Sequence, residues 1–200
     1  MKKAILYGVA LFLIGALILT HRLEPERRVY PLTMGFDISE SGYEVYYDLP
    51  ELSVYTGESK PMEESERIWH FEGANHEEIA AQITRGKKQT PDMGHVQAIV
   101  LSRNLLRNRK KYEAVLTSFV QEPMLGSSAY VFVTDQMEGV MSVGAKQTDS
   151  LGTYLVDIMD KTEEAQPILL QDLYNAYYNQ NDMPILPVVW VNQGEIFVEG

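Results

Sequence analysis

Gly94-His95-Val96-Gln97-Ala98-Ile99-Val100-Leu101 is the stretch that decides the fold. A short and nearly continuous apolar run of this kind is typical of a strand that is buried on both faces. Helical patterns lie on either side of it, over residues 75–88 and 109–120, and a second apolar run follows at residues 129–133. The order helix, strand, helix, strand predicts a right-handed crossover unit with two neighbouring strands.

Composition predicts a folded domain and disfavours several classes of function. The chain has 200 residues, of which 45% are hydrophobic and 22% are charged, so it can build a core. Its net charge of −11 disfavours general nucleic-acid binding. It contains no Cys, which excludes disulfides, thiolate metal sites, Cys nucleophiles and a lipid-modified Cys.

The N-terminal segment has the composition of a membrane anchor. Lys2 and Lys3 precede an uncharged apolar run over residues 4–20, which is 17 residues long. A spanning helix needs about 20 apolar residues, with about 17 as the lower limit. Because residues 17–21 lack the small-x-small pattern of a cleavage site, we favour an uncleaved anchor over a signal peptide. The two lysines would stay in the cytoplasm, which exports the rest of the chain.

Two strands come directly after this segment. Residues 29–37 and 43–48 flank Ser39-Glu40-Ser41-Gly42, whose composition is typical of a turn, so they predict a hairpin. In the second strand Val45 alternates with Tyr46, which predicts a strand with one wet face. Residues 49–67 are polar and predict a surface loop, and residues 68–71 predict a third short strand.

The rest of the chain carries helical patterns and a terminal hairpin. The predicted helices cover residues 75–88, 109–120, 135–143, 151–159 and 169–177. Asn75, Asn108 and Asp135 are the residues predicted to cap the first three of them. Residues 187–191 and 195–198 predict a hairpin around Asn192-Gln193-Gly194, which either pairs with the main sheet or begins a second domain.

The predicted fold class is therefore α+β: a mixed β-sheet with flanking helices, preceded by an N-terminal transmembrane helix. We divide the chain into three parts. These are an anchor or signal segment at residues 1–24, an α/β domain at residues 25–186, and the terminal hairpin at residues 187–200.

Candidate chemical groups are few. The four histidines, His21, His70, His76 and His95, are not spaced like metal ligands. No phosphate-binding loop, dinucleotide fingerprint or nucleophile elbow is present in the sequence. We therefore assign no catalytic, cofactor-binding or metal-binding residue.

Five residues remain as candidate structural or interaction positions: Gly94, His95, Tyr174, Tyr177 and Tyr178. His95 follows Gly94 and opens the predicted central strand, where its simplest role is a hydrogen bond to the backbone. The three tyrosines share one helix face. Such a stripe can hold sugars or peptides, or it can cover the edge of a core.

Basic residues are concentrated in one part of the sequence. Between residues 85 and 111 there are eight basic residues and one acidic residue. The eight are Arg85, Lys87, Lys88, Arg103, Arg107, Arg109, Lys110 and Lys111. One hypothesis is that this band faces lipid headgroups, and the alternative is that its charges are simply solvated.

Several stretches of the chain resemble those of a known family. They are Glu26-Arg27-Arg28-Val29-Tyr30-Pro31-Leu32-Thr33-Met34-Gly35-Phe36-Asp37, Gly73-Ala74-Asn75-His76-Glu77-Glu78-Ile79, the stretch that starts at Gly94, and residues 129–143 and 194–200. In this order they resemble the N-terminal region of the C-subunit family of spore germinant receptors, the Ger(x)C-type proteins. Members of that family usually carry a lipid-modified Cys, so here the anchor at residues 4–20 would replace the lipid.

The resemblance implies a non-enzymatic, extracytoplasmic subunit at the inner membrane of a spore. Its partners would be the polytopic membrane subunits of a germinant receptor and the membrane itself, with no nucleic acid, no cofactor and an unknown ligand. Two other functions stay open from the residues alone. One is an anchored ligand-binding or adaptor module unrelated to germination, and the other is a cell-wall enzyme that uses two carboxylates.

Overall fold

A computed structural model describes residues 28–50, 64–162, 166–179 and 181–200. The strands are Arg28–Val29 (β1), Thr33–Ile38 (β2), Tyr43–Asp48 (β3), Ile68–Gly73 (β4), Thr90–Pro91 (β5), Ala98–Ser102 (β6), Tyr130–Thr134 (β7), Val188–Asn192 (β8) and Glu195–Glu199 (β9). The helices are Glu64–Arg67 (α1), His76–Gly86 (α2), Arg103–Arg107 (α3), Arg109–Gln121 (α4), Met137–Gln147 (α5), Leu151–Lys161 (α6) and Leu170–Tyr178 (α7), and a 3₁₀ turn covers Met93–His95.

Seven strands form one mixed sheet in the order β4-β3-β2-β6-β7-β8-β9. Strands β2, β6, β7 and β8 are parallel to one another, whereas β3 is antiparallel to β2, β4 to β3 and β9 to β8. Strands β1 and β5 form a separate parallel pair. The sheet and its flanking helices confirm the α+β class.

Strand β6 lies at the centre of the sheet, between the parallel strands β2 and β7. All five of its residues are buried, which confirms a strand covered on both faces. The prediction that His95 opens this strand is wrong, because the strand begins at Ala98. His95 ends the 3₁₀ turn, in which the Asp92 side chain accepts a hydrogen bond from the Gly94 amide at 3.0 Å.

Helices cover both faces of the sheet. Helices α2, α4 and α7 contribute to a core on one face, and α5 and α6 contribute to a core on the other. The prediction of a wet face on β3 is therefore wrong at Tyr46, which is buried in the second core. Gly35 lies opposite α5, where a Cβ atom would be 2.7 Å from Met137 Sδ, so a glycine lets that helix approach the sheet.

Two of the three predicted helix caps are present. Asn75 Oδ1 accepts from the Glu78 amide at 3.0 Å, and Asn108 Oδ1 accepts from the Lys111 amide at 3.2 Å. The Asp135 cap is wrong, because α5 begins two residues later, after Gln136, and ends at Gln147. The Asp135 carboxylate instead pairs with Arg103.

The terminal hairpin extends the main sheet. Strand β8 pairs with β7 through Val133 and Val188, and β9 forms the edge. Gln193 and Gly194 have φ angles of 51° and 82°, the left-handed conformation that the favoured two-residue hairpin turn requires. The proposed domain boundaries stay predictions.

Some sequence predictions fall on residues outside the described ones. The apolar run at residues 4–20, His21 and most of the loop at residues 49–67 are in this group. Within residues 28–50, 64–162, 166–179 and 181–200, no helix combines the length and the apolar composition of a membrane span.

Candidate functional site

The carboxyl edge of the parallel strands is where the chain leaves toward opposite faces of the sheet. Strand β6 leads into α3 and α4 on one face, and its neighbour β7 leads into α5 on the other. In open α/β sheets, ligands bind outside the carboxyl ends of the strands at such a divergence. The topology therefore predicts a ligand site at this edge.

An ion pair lies across the divergence. Arg103 Nε is 2.9 Å and 3.1 Å from the two carboxylate oxygens of Asp135. Both side chains remain partly exposed. The pair connects the start of α3 to the residue that follows β7, and the same helix carries the next arginine, Arg107.

A shallow cavity of about 720 Å³ lies between the β2–β3 turn and the α3–α4 junction. Its polar lining comes mainly from α3 and the residues that join it to α4: Asn104, Arg107, Asn108 and Arg109. Glu40 in the turn contributes one carboxylate to the same lining. Guanidinium and amide groups are donors that suit an oxyanion.

A second and larger cavity, which we call the tyrosine groove, lies between α4 and the end of α7. It has a volume of about 930 Å³ and is lined by Arg109, Tyr112, Glu113, Tyr177, Tyr178 and Met183, among others. Arg109 Nε donates to Glu113 Oε1 at 2.8 Å. Because Arg109 also lines the shallow cavity, its guanidinium connects the two.

Two of the three predicted tyrosines line the groove. The rings of Tyr177 and Tyr178 meet edge to face with 5.2 Å between centroids, and these residues are 37% and 61% exposed. Tyr174 is half-buried and packs against the first core instead. Burial raises the pKa of Tyr174 to about 12, with a smaller contribution from Tyr178.

Tyr112 contributes a hydroxyl group to the groove. Its hydroxyl donates to Met183 Sδ at 3.3 Å. Burial raises the pKa of Tyr112, so the phenol stays protonated and remains a donor at neutral pH. A thioether sulfur is a weak acceptor, and the groove therefore holds a strong donor with a weak partner.

Gly94 and His95 lie away from the groove, at the amino edge of the sheet. Both are exposed, and the His95 ring meets the Tyr30 ring edge to face at 4.8 Å. Asp92 belongs to the same turn as Gly94 and His95, and its Oδ2 lies 2.7 Å from Nη1 of Arg28 in β1. The Gly94 amide, followed by Arg28, lowers the pKa of the Asp92 carboxyl. These contacts are all local to the turn and to the residues at β1, and the structure does not bring the turn near the tyrosines.

The basic band does not form one surface, so a single lipid-facing band is wrong. Helix α2 begins after the carboxyl end of β4 and runs back, so Arg85 and Lys87 lie at the amino edge. There the Lys87 ammonium lies 4.7 Å from the centroid of the Trp69 ring, near the start of β4. Helices α3 and α4, which also carry basic residues of the band, begin at the opposite edge. One of these residues, Lys111, donates to the carbonyl of Gly42 at 2.8 Å.

Arg107 and Arg109 were expected only as members of the basic band, and the sequence did not single them out as lining a cavity. Their signal was local: the first turn of α4 holds three basic residues and no acidic one, against the preference set by the helix dipole. In the part of the chain that the structure describes, no three His, Asp or Glu side chains are grouped so that they could hold a metal ion. The side chains that line the two cavities are guanidinium, amide, carboxylate and aromatic groups.

Comparison with known proteins adds one finding to this geometry. The family model of the spore germination protein N-terminal domain matches residues 21–191. The matched range contains β2, β6 and β7, all of β8 except its last residue, and the residues that line both cavities. No curated protein and no solved structure matches the chain. The family match confirms the resemblance found in the sequence.

Proposed function

Because the chain belongs to the family of the spore germination protein N-terminal domain, we propose that it is a subunit of a spore germinant receptor. In this proposal the subunit is anchored in the spore inner membrane, faces away from the cytoplasm and is not an enzyme. The observation that carries the proposal is the family match over residues 21–191.

The path of the chain supports an orientation on the membrane. The apolar run ends at Thr20 and β1 begins at Arg28, so seven residues, 21–27, connect them. Seven extended residues reach at most about 25 Å. If residues 4–20 span the membrane, the end of the domain that holds β1 stays within that distance of it. The carboxyl edge, with both cavities, then points away from the lipid.

The groups at the carboxyl edge support a binding role over a catalytic one. The cavities present guanidinium, amide and phenol groups, together with carboxylates such as Glu113 that pair with arginine. General acid–base catalysis works best with a group whose pKa lies near the working pH. Guanidinium groups, aromatic rings and the Tyr112 phenol, whose pKa is raised by burial, suit the recognition of charge and rings better than proton transfer.

Purification from membranes tests the proposal. A tagged chain would be recovered from detergent-solubilised membranes of dormant spores and of growing cells, with an untagged strain as the background control. We expect recovery from spores together with polytopic receptor subunits. The Val100→Asp variant serves as a second control, because a charge in the buried strand β6 should unfold the domain and abolish that association. Recovery from growing cells alone, or without a membrane partner, would contradict the proposal.

A second candidate function is an anchored ligand-binding module unrelated to germination. The tyrosine groove favours it, because a groove of about 930 Å³ with exposed rings and an arginine has the size and lining of a small-molecule site. Deletion of the coding sequence separates the two functions. A germinant-receptor subunit predicts spores that respond poorly to nutrients, whereas an unrelated module predicts normal germination.

A further inference from the structure

We propose that the shallow cavity and the tyrosine groove together form one binding site for a small organic anion. The anionic group would contact Arg107 and Arg109, and the apolar body would pack against Tyr177 and Tyr178. This inference goes beyond the proposed function, since it assigns a ligand class to the domain itself and holds whether or not the protein serves germination.

Arg109 is the residue that joins the two halves of the site. Its side chain is 91% exposed, and the hydrogen bond to Glu113 uses Nε. With the other described residues, its two terminal nitrogens form no hydrogen bond. A carboxylate or phosphate group can accept two parallel hydrogen bonds from such a guanidinium edge. Arg109 is therefore held in place by one partner while its outer edge remains available.

The charges around the shallow cavity favour an anion. Arg107 forms no hydrogen bond or ion pair with the rest of the described chain, and it lines the cavity beside Arg109. The carboxylates that line the two cavities are Glu40 and Glu113, and Glu113 is paired with Arg109 Nε. The guanidinium of Arg107 and the outer edge of Arg109 therefore remain without an acidic partner among the described residues, on a protein whose net charge is −11. A negative ligand is attracted there and is discouraged over most of the remaining surface.

The lining of the groove favours a ligand that carries an apolar group as well as a negative charge. Tyr177, Tyr178 and Met183 are all more than a third exposed, and they lie next to the guanidinium of Arg109. An inorganic ion would leave these apolar surfaces in water, whereas a ring or a branched apolar body would cover them. The Tyr112 hydroxyl, whose acceptor is a thioether, would gain a stronger acceptor from a ligand oxygen.

The size of the site indicates a small molecule. Each cavity taken alone, at about 720 or about 930 Å³, falls within the range of known small-molecule sites, so a small ligand placed at Arg109, which lines both, would fill only part of the combined site. Both cavities are open to solvent on the carboxyl edge, so a ligand can enter without a change in the fold. The combination of a cationic half and an aromatic half thus fits an aryl or branched alkyl carboxylate or phosphate ester.

Binding of simple probes to the full 200-residue chain in mild detergent tests this inference. The probes are phenyl phosphate and benzoate, which combine ring and anion, inorganic phosphate, which lacks the ring, and benzyl alcohol, which lacks the charge. We expect at least one of the first two to bind about tenfold more tightly than both single-feature probes. Comparison of phenyl phosphate with benzoate then identifies which oxyanion the arginines prefer.

Three variants locate the binding. Arg109→Gln and Tyr177→Ala should each weaken binding of the preferred probe by about tenfold, because each removes one half of the contact. Both residues are exposed, so the melting temperature should stay unchanged and report a folded protein. Arg85→Gln is the matched control, since it removes an exposed charge at the opposite edge, and its affinity should equal that of the wild type.

Each contrary result has a definite meaning. Binding that is equal in the wild type and Arg109→Gln would overturn the site, and so would benzyl alcohol that binds as tightly as the anions. Failure of every probe to saturate at millimolar concentration would also overturn it. None of these outcomes bears on the purification from spore membranes, so the proposed germinant-receptor role is judged separately.

Discussion

The carboxylate of Asp48 and the guanidinium of Arg67 form a buried ion pair, with 3.5 Å between Oδ1 and Nη2 and side chains that are 0% and 5% exposed. Arg67 also donates to the carbonyl of Leu49 at 3.3 Å and to that of Thr148 at 2.7 Å. The other carboxylate oxygen of Asp48 accepts from the Leu151 amide at 3.0 Å. The pair therefore ties β3 and the start of β4 to the junction of α5 and α6.

Replacing the arginine of this pair should be costly. Arg67→Met keeps much of the side-chain volume but leaves Asp48 without a cation and four carbonyl groups, those of Leu49, Ala145, Thr148 and Asp149, without their donor. Removing one partner of a buried pair typically costs about 3–5 kcal/mol. Urea denaturation at neutral pH should show a loss of this size in the free energy of unfolding.

A surface arginine provides the control for that measurement. Arg85 is exposed near the end of α2, so Arg85→Met should change the free energy of unfolding by no more than about 0.5 kcal/mol. Similar stability of the Arg67→Met variant and the wild type would show that the ion pair does not hold the α5–α6 junction in place.

The same pair makes stability depend on pH. Burial raises the pKa of Asp48 from 3.8 to about 6, even though Arg67 and the Leu151 amide lower it. Because the native pKa lies above the unfolded one, this group's contribution to stability is complete only well below the unfolded pKa of 3.8. That contribution is lost as the pH rises through 6. A difference of about two pH units corresponds to about 3 kcal/mol.

Comparison with Asp48→Asn isolates this effect. Other carboxyl groups, such as Asp92 with its lowered pKa, change stability in the opposite direction, but they do so in both proteins and cancel. We expect the stability of Asp48→Asn relative to the wild type to increase by about 2 kcal/mol between pH 4 and pH 7, since part of the total change occurs below pH 4. Urea denaturation at several pH values measures it. A difference that stays constant with pH would mean that Asp48 does not titrate in this range.

Features that depend on a few neighbouring residues could be predicted from the sequence. The Asn75 and Asn108 caps each accept from an amide three residues later, so a short pattern is sufficient to identify them. The burial of Val100 follows from a continuous apolar run. The Asp135 cap failed because Arg103, which is 32 residues distant, takes the carboxylate.

Features set by distant contacts could not be predicted in this way. Tyr46 is buried because α5 and α6, about 90 residues later in the chain, cover its face of the sheet. Strand β6 begins at Ala98 because the carbonyl of Leu32, on the approach to β2, accepts the first hydrogen bonds from that segment. The candidate site also depends on contacts between distant parts of the sequence, because Arg109 and Tyr177 line one groove although 68 positions separate them. No short pattern carries that information.

The central strand offers a test of the whole architecture. Val100 is fully buried between β2 and β7, so Val100→Asp would place an unpaired carboxylate in the second core. The cost of burying such a group reaches several kcal/mol, which is comparable to the total stability of a domain. We expect no cooperative thermal transition by circular dichroism. Normal melting would mean that this strand is not central.

A glycine at the start of α6 is required by close packing. A Cβ atom on Gly152 would lie 2.8 Å from the carbonyl carbon of Leu32 and 3.0 Å from Thr33 Oγ1. Because backbone cannot move aside as a flexible side chain can, Gly152→Ala should lower the free energy of unfolding by about 1–3 kcal/mol.

Gly86→Ala is the matched control, since nothing lies within 4 Å of its added Cβ. At that position the loss of unfolded-state entropy should raise stability by about 0.4–1 kcal/mol. Urea denaturation of the two variants should therefore give changes of opposite sign. Equal changes in the free energy of unfolding would show that α6 does not pack closely against Leu32 and the start of β2.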